Sequence, residues 1–586
     1  MPSTFFGLNI GTTGLYTYQA ALNTTSHNIA NTETVGYTRQ VLNQKAGVAI
    51  KVNSTYGMAG TGVDVSGVVQ VRNQYYDMKL WKNTTTYGNY AAKEHYMTEI
   101  ETYFNEVNLE GFTTSFNSLH DSLQELSKDP SSLSVRKQVN NYAKSLTDYF
   151  NYLSNSMSGI QEECNFEVKN TVDQINSLGQ QIAALTKQIN TLESTGGTAN
   201  DLRDERNLLL DELSGITNIT TSERIVGDAV GITSFTVKID GQTLVDTTEF
   251  RSLKVVPRTE KLNQNDIDGL YDIVWDNGQT FNPLSASTSG SLKALFEVRD
   301  GNNAENLQGK VTAAAGATSV VLTDTNINTM NKLNIPSSGV ITIGNREYKY
   351  KSFTATLDTT TNKYSYEFEL EDPLTVGVTN QSTSIGKSID YKGIPYYMAQ
   401  MNEFVRTYSK AFNDIHKQAQ DLNGNTGIDF FNGTDPVTGD NYTFDTNEKY
   451  YLLTAGNFTV TESIYSDPRK LAVSTKITDG VENKTYLDKL IALKSDKTMF
   501  KQGAPASFLQ TLVAEIGIDT DKAASFAKSQ SDIVYMINNQ RLSESGVDID
   551  EEAMNLVKFQ NAYNLSAKVI TVMNEIYDKL INGTGV

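Results

Sequence analysis

Two narrow apolar stripes at helical spacing, one at each end of the chain, constrain this sequence most. Leu8, Leu15, Leu22 and Ile29 recur every seven residues, which places them in one line along a helix. Residues 1–38 carry a single charged side chain, Glu33. At the other end Ile549, Ala553, Leu556, Tyr563, Ala567, Ile570 and Tyr577 follow three-and-four spacing. Asp548 and Asp550 stand at the start of that segment, where the helix dipole favours anions. A helix so poor in charge is marginal alone in water, and about 22 residues of it span about 33 Å. The two stripes therefore call for partners, each other or neighbouring subunits.

Between these ends the hydrophobic period changes several times. Val48, Ile50 and Val52 alternate, as do Val63 and Val65 after a Gly60-Thr61-Gly62 turn, so residues 35–71 read as strands. A long helix is predicted from about Arg72 to Phe104. A second carries Phe112, Phe116, Leu119, Leu123 and Leu126 and stops at Asp129-Pro130. Helical spacing restarts at Val135, and residues 160–193 hold two heptad positions, Val168, Ile175, Ile182, Ile189 and Leu178, Leu185, Leu192. Asn200 is the expected N-cap of a helix that Gly215 stops.

After Gly215 the period becomes two. Phe235, Val237 and Ile239 lead into Asp240-Gly241, a type I′ hairpin signal, and Trp275 precedes Asn277-Gly278. Residues 292–299 read as helix. The Thr- and Ser-rich block 301–391 contains further hairpins, with Ile341 and Ile343 before Gly344-Asn345 and the alternating Tyr364, Tyr366, Phe368 and Leu370. Helical spacing returns over Tyr397–Ile415 and from about Tyr486, and residues 426–480 read as strand and turn.

The expected fold is α+β and multidomain: discontinuous terminal helices pairing as a coiled coil, a long-helix bundle, and inserted β-rich domains in an elongated molecule. Residues 1–35 with 546–586 form the terminal domain, disordered in the monomer. Residues 36–215 with 290–300, 392–425 and 484–545 form the bundle with its β-hairpin. Residues 216–289 with 426–483 form one β-rich domain, and 301–391 an inserted one.

Chemistry is sparse. His27, His95, His120 and His416 show no paired metal-ligand spacing, and Cys164 sits in an apolar helical stripe as a buried small hydrophobe. The Gly57, Gly60 and Gly62 segment lacks the Lys-Ser or Lys-Thr of a phosphate loop, and Asp421-Leu422-Asn423-Gly424-Asn425 departs from a calcium loop at Thr426 and Asn432. Carboxylate pairs such as Glu162-Glu163 and Glu551-Glu552 lie at polar helical positions and read as solvated faces. No catalytic, cofactor or metal site is expected. The net charge of −19 repels phosphate backbones and anionic lipid, so neither nucleic acid nor membrane is an expected partner. No basic region precedes Arg39, so no cleaved secretory signal is expected.

The segment Ala20-Ala21-Leu22-Asn23-Thr24-Thr25-Ser26-His27-Asn28-Ile29-Ala30-Asn31-Thr32-Glu33-Thr34-Val35-Gly36-Tyr37-Thr38-Arg39-Gln40 resembles the N-terminal signature of bacterial flagellar rod, hook and hook-associated proteins. Its Gly36–Gln40 ending is closest to the hook-associated members. Gly546–Tyr563 is similar to the C-terminal signature of the same family. Asp201–Arg206, Gly290–Leu295, Gly62–Val65 and Asp421–Asn425 also look like family segments, whereas 301–391 does not.

The resemblance implies a structural subunit at the hook–filament junction, exported by the flagellar type III apparatus and extracellular thereafter. It would self-assemble into a short ring-like zone and contact hook protein and the next, filament-side hook-associated protein. A cytoplasmic export chaperone is implied as well. The implied assembly interface comprises Leu8, Leu15, Leu22, Asn28, Ile29, Asn31, Gly36, Tyr37, Ile549, Ala553, Leu556, Tyr563, Ile570 and Tyr577. Alternatives are a hook or distal-rod protein, or an adhesin presenting block 301–391. An enzymatic insert is the weakest option, because that block holds no His or Cys.

Overall fold

A computed structural model describes the chain except residues 1–5, 54–56, 105–110, 227–231, 359–362, 436–437, 445, 477, 479, 481–482 and 584–586. The outermost residues of both terminal segments therefore lie outside the described residues. The helices are α1 Phe6–Ala30, α2 Gln74–Phe104, α3 Phe112–Leu126, α4 Leu133–Glu193, α5 Asn200–Ile216, α6 Ser291–Asp300, α7 Ile394–His416, α8 Glu462–Ser466, α9 Thr485–Ala492, α10 Pro505–Ser545 and α11 Ile549–Asn582.

The heptad stretch at 160–193 and the helical restart at Val135 are one continuous helix. The 61 residues of α4 reach about 90 Å at 1.5 Å per residue and form the spine of the molecule. Ser132 caps its start, accepting the Val135 amide. Both heptad positions are buried along it except Leu192 in the last turn, which is 55% exposed. Helices α2, α3, α5, α6, α7, α9 and α10 close a single apolar core around this spine.

Helix α5 departs from expectation at both ends. Ala199 occupies the N-cap position and Asn200 lies inside the helix, because its amide is committed to the Val68 carbonyl (3.0 Å) and to Gln40 Oε1 (3.2 Å). Gly215 does not stop the helix. Gly88 of α2 sits against the Gly215 carbonyl, where an added Cβ would lie 2.1 Å from the oxygen, so glycine serves helix–helix approach here.

Four short strands follow α1: β1 Gln40–Ala46, β2 Ile50–Asn53, β3 Gly57–Ala59 and β4 Val63–Gln70. β1 pairs with β4 and β2 with β3, all antiparallel, so 60–62 links the outer pair to the inner instead of turning a simple hairpin. The next sheet, β5–β8, comprises Ile219–Ile225, Thr233–Ile239, Gln242–Asp246 and Glu249–Phe250. Asp240 and Gly241 have φ of 45° and 75°, the two left-handed residues of a type I′ turn. β9 Leu253–Pro257, β10 Tyr271–Trp275 and β11 Thr280–Phe281 form a three-stranded sheet.

Block 301–391 closes into a six-stranded barrel in the order β12-β13-β16-β15-β14-β17. Its strands are Gln308–Ala313, Ser319–Thr323, Gly339–Ile343, Arg346–Asp358, Lys363–Leu370 and Val378–Ile385, numbered β12 to β17 in chain order. Closure removes the sheet edges, and the alternating Tyr366, Phe368 and Leu370 point into its own core. β18 Phe431–Gly433 pairs only with β19 Phe458–Val460 among the described strands. The expected grouping of 216–289 with 426–483 is therefore not a common sheet. β18 and β19 pack on α7 and α4, where Asn413 binds the Phe431 carbonyl and Asn151 the Phe458 carbonyl.

Candidate functional site

The terminal helices meet each other. α1 buries Gly11, Gly14, Thr17, Ala21, Thr25 and Asn28, a face of small and polar residues. An added Cβ at Gly11 would stand 3.0 Å from Ile570 and 3.4 Å from Val569. At Gly7 it would stand 2.7 Å from Met573, and at Gly14 3.0 Å from Ser566. The predicted stripe of Leu8, Leu15, Leu22 and Ile29 is thus not the seam with α11. It runs one residue beside the seam and is half-buried. The reason is steric: glycine and alanine let two backbones approach, and leucine would hold them apart.

On α11, Leu556, Tyr563, Ile570 and Tyr577 are half-buried, whereas Ile549 and Ala553 are exposed. Ile570 packs against Gly11 in the same chain. A second apolar line, flanking that contact, stays largely in water: Leu565 68%, Val572 41%, Ile576 48% and Leu580 53% exposed, with Val569, 45% exposed, at its border with Gly11. Spacings of four, three, four and four put these residues on one face. Glu552 is the one α11 residue that is fully buried among those described.

Glu552 belongs to the joint where the terminal pair meets the bundle. Asn28 donates through Nδ2 to the Gln40 carbonyl (2.9 Å) and to Glu552 Oε2 (3.2 Å). Its Oδ1 accepts from the Tyr37 hydroxyl (2.8 Å) and the Gln40 amide (3.0 Å). Arg39 grips α11, donating to Glu552 Oε1 at 2.8 Å and Glu551 Oε1 at 2.9 Å, and its amide donates to the Ser545 carbonyl (2.9 Å). Asn31 turns the chain after α1 by donating to the His27 carbonyl (3.0 Å) and accepting from Thr34 Oγ1 (3.1 Å). Gly36, at φ 81°, completes that turn in a left-handed conformation.

On the bundle side the Asp201–Arg206 segment of α5 receives the strand that leaves α1. Asp204 accepts the Thr38 amide (2.9 Å) and hydroxyl (2.7 Å), and Arg72 reaches the same carboxylate at 3.3 Å. Asp201 accepts from Gln40 Nε2 at 2.7 Å. Burial pushes the Tyr37 phenol well above its ordinary value, helped by Asp201, Asp204 and Glu552, so it stays a donor to Asn28. Burial would lower Arg39, but its bonds to Glu551 and Glu552 outweigh that and hold it above its ordinary value. Burial also raises Asp204, against the hydrogen bonds from Thr38.

Of the residues singled out by sequence, Asn28, Asn31, Gly36 and Tyr37 gather at this joint, and the leucine and isoleucine positions line the helices. Arg39 and Asp204 were not among them, and Glu552, read from its polar helical position as part of a solvated face, is instead buried against Arg39 because the joint closes over it. Arg39 had a visible signal, being the first cation in a chain segment almost without charge. Its partner Glu552 lies 513 residues away, and no local pattern links the two.

A helical pair made by both chain ends, locked to a bundle by the very segments that carry the terminal signatures, defines a class. Three family models match in register with it: "Flagella basal body rod protein" over 8–38, "Flagellar hook-associated protein FlgK helical domain" over 97–335, and "Flagellar basal body rod FlgEFG protein C-terminal" over 538–583. The chain belongs to the flagellar rod, hook and hook-associated protein family, and it is a structural component of the flagellum.

Within that family it is similar over its whole length to flagellar hook-associated protein 1. It is 27% identical to that protein of Bacillus subtilis (strain 168), over 100% of this chain and 99% of the relative. The identity is 26% with that of Escherichia coli (strain K12), over 98% and 99%. A solved structure of the flagellar hook junction protein FlgK from Burkholderia pseudomallei aligns with 80% of this chain and 100% of its own, at TM-score 0.47 and 14% identity. Among the described residues no helix is long and apolar enough to cross a membrane.

Proposed function

We propose that this chain is the subunit of the hook–filament junction and that it works through binding surfaces alone, without catalysis. The observation that carries self-assembly is the apolar line Leu565, Val572, Ile576 and Leu580 of α11, left in water beside a nearly uncharged α1. An exposed apolar strip of this length is covered in the working state of a protein. Copies of the chain, stacked in a ring-like zone with α1 and α11 toward the axis, cover it. Full-length similarity to hook-associated protein 1 supports placing that zone between hook protein and the filament-side hook-associated protein. Export through the type III apparatus with a cytoplasmic chaperone belongs to the same reading.

The test is electron microscopy of cells lacking this gene, with an assay for flagellin in the medium. Bare hooks with shed flagellin are expected. Absent hooks would instead place the chain in the rod or hook class, and intact filaments would overturn a structural junction role. A second reading, an adhesin presenting block 301–391, draws on the separate apolar core of that barrel. Binding of the full chain to mucin or glycans, lost on deletion of the barrel, would support it.

A further inference from the structure

Away from the joint, α2 and α4 bring a nitrogen donor and two carboxylates together. His95 and Glu99 stand four residues apart on α2 and so share one face of the helix. Glu163, on the facing side of α4, completes a cluster in which one donor atom from each residue lies within 4.8 Å of the other two. His95 and Glu163 are exposed and Glu99 half-buried, so the cluster opens to solvent at one side of the bundle.

The charges of this cluster are unbalanced. Among the described residues no Lys or Arg forms an ion pair with Glu99 or Glu163, although most of the half-buried carboxylates of the bundle have one, such as Glu297 with Lys93 and Glu515 with Lys392. The neighbouring thiol of Cys164 is turned into the core and buried, and adds no donor.

We propose that His95, Glu99 and Glu163 bind a divalent transition-metal cation of the zinc class that staples α2 to α4. The donor set decides the class. One imidazole and two carboxylates suit zinc and its neighbours, whereas calcium and magnesium select all-oxygen shells. Donors at about 2.1 Å from a tetrahedral ion stand about 3.4 Å from one another. Drawing the atoms in from 4.8 Å takes about 1 Å of side-chain movement, which the rotamers of two glutamates supply. The fourth position stays open to water. The ion would replace the repulsion between two carboxylates by a bridge, and by mass action it stabilises the folded bundle in proportion to its saturation.

The experiment is a calorimetric titration of the chelator-stripped full-length protein with Zn²⁺, repeated with Co²⁺ to read its visible absorption. One equivalent should bind, with a rise in the thermal midpoint. His95→Gln, Glu99→Gln and Glu163→Gln should each weaken binding at least tenfold without lowering the metal-free midpoint, while His27→Gln, at the other imidazole beside a carboxylate, should not affect binding. Binding unchanged in all three glutamine variants, or no binding at 0.1 mM Zn²⁺ (about the Kd of a −5.5 kcal/mol interaction), would overturn the proposal.

Discussion

Asn28 satisfies four backbone and side-chain groups with one amide, those of Gln40 and Glu552 buried with it and the Tyr37 hydroxyl half-buried. Replacing it by alanine leaves the Gln40 amide and the Tyr37 hydroxyl without their acceptor. Such orphaned groups cost about 1–3 kcal/mol. Asn28→Ala should lower the opening free energy of the joint by that amount, read from amide exchange at Gln40, with the unfolding midpoint of the bundle unchanged. A second single-residue effect is set by pH. His416 is buried, its Nδ1 on the Ile428 carbonyl (2.6 Å) and its Nε2 accepting the Ala472 amide (2.8 Å). Burial pushes it down to about 4, with Arg136 acting the same way and the Ile428 bond and Asp421 opposing. The folded state therefore keeps the neutral ring while the unfolded chain takes up a proton near pH 6.5. Stability is complete above about pH 6.5 and falls as the pH drops toward 4, by up to about 3 kcal/mol from this residue. Urea midpoints measured between pH 7.5 and 4.5 should show the fall, and His416→Gln should reduce it, the buried His120, which burial also holds low, supplying part of the remainder. At this scale the sequence exposed one half of each interaction. Asn28 and Tyr37 stand in a recognisable segment, but Glu552, Asp204 and the backbone around Ala472 become their partners only through the fold.

The terminal helices show why a stripe can be read correctly as helical and still be assigned to the wrong face. A seven-residue repeat of leucines reports the period and not what the helix touches. In α1 the contact belongs to Gly7, Gly11 and Gly14, whose lack of a side chain carries no hydrophobic signal. Gly11→Val should drive the pair apart, since the new branch would overlap Ile570, and Ile570→Asp should do the same with a charge. The two faces of α11 can be separated. Leu565→Asp and Ile576→Asp lie on the open line, so they should leave the α1–α11 pair intact and still block incorporation into filaments, seen as bare hooks by electron microscopy. Because α11 buries so little in one chain, we expect amides of α1 and α11 beyond the Asn28–Glu552 joint, residues 6–24 and 556–582, to exchange within seconds in isolated monomer. Slow exchange there would show that the pair is stable before assembly. The strand elements were more legible than the helix faces. Asp240-Gly241 and the alternation around Phe368 each fix a local geometry, whereas closure of six strands into a barrel depends on pairings such as Gln308 with Ser384 that no local pattern reveals.

On the scale of the whole molecule, the chain leaves the bundle after α6 and returns at α7 through one point. Asn302 bridges Lys392, and the Gly393 amide donates to the Gly301 carbonyl at 3.2 Å. A barrel entered and left at adjacent residues can be removed without stretching the rest. It is nonetheless tied down. The buried Arg406 of α7 donates to the Asn331 and Leu333 carbonyls of the barrel block at 3.1 and 2.7 Å, and to those of Leu453 and Tyr451 at 2.8 and 2.9 Å. The Tyr451 hydroxyl reaches the Ile335 carbonyl. Replacing 304–390 by a short Gly-Ser linker should therefore cost the body a few kcal/mol, because buried Arg406 donors lose acceptors. The loss is measurable as a lower urea midpoint. Assembly is a separate matter, since none of these ties involves α1, α11 or the Asn28–Arg39–Glu552 joint. Cells carrying the shortened chain should still build filaments and swim at low temperature, where the weakened body stays folded. Bare hooks in cells that accumulate a folded, soluble shortened chain would mean that the barrel itself makes the contacts between subunits.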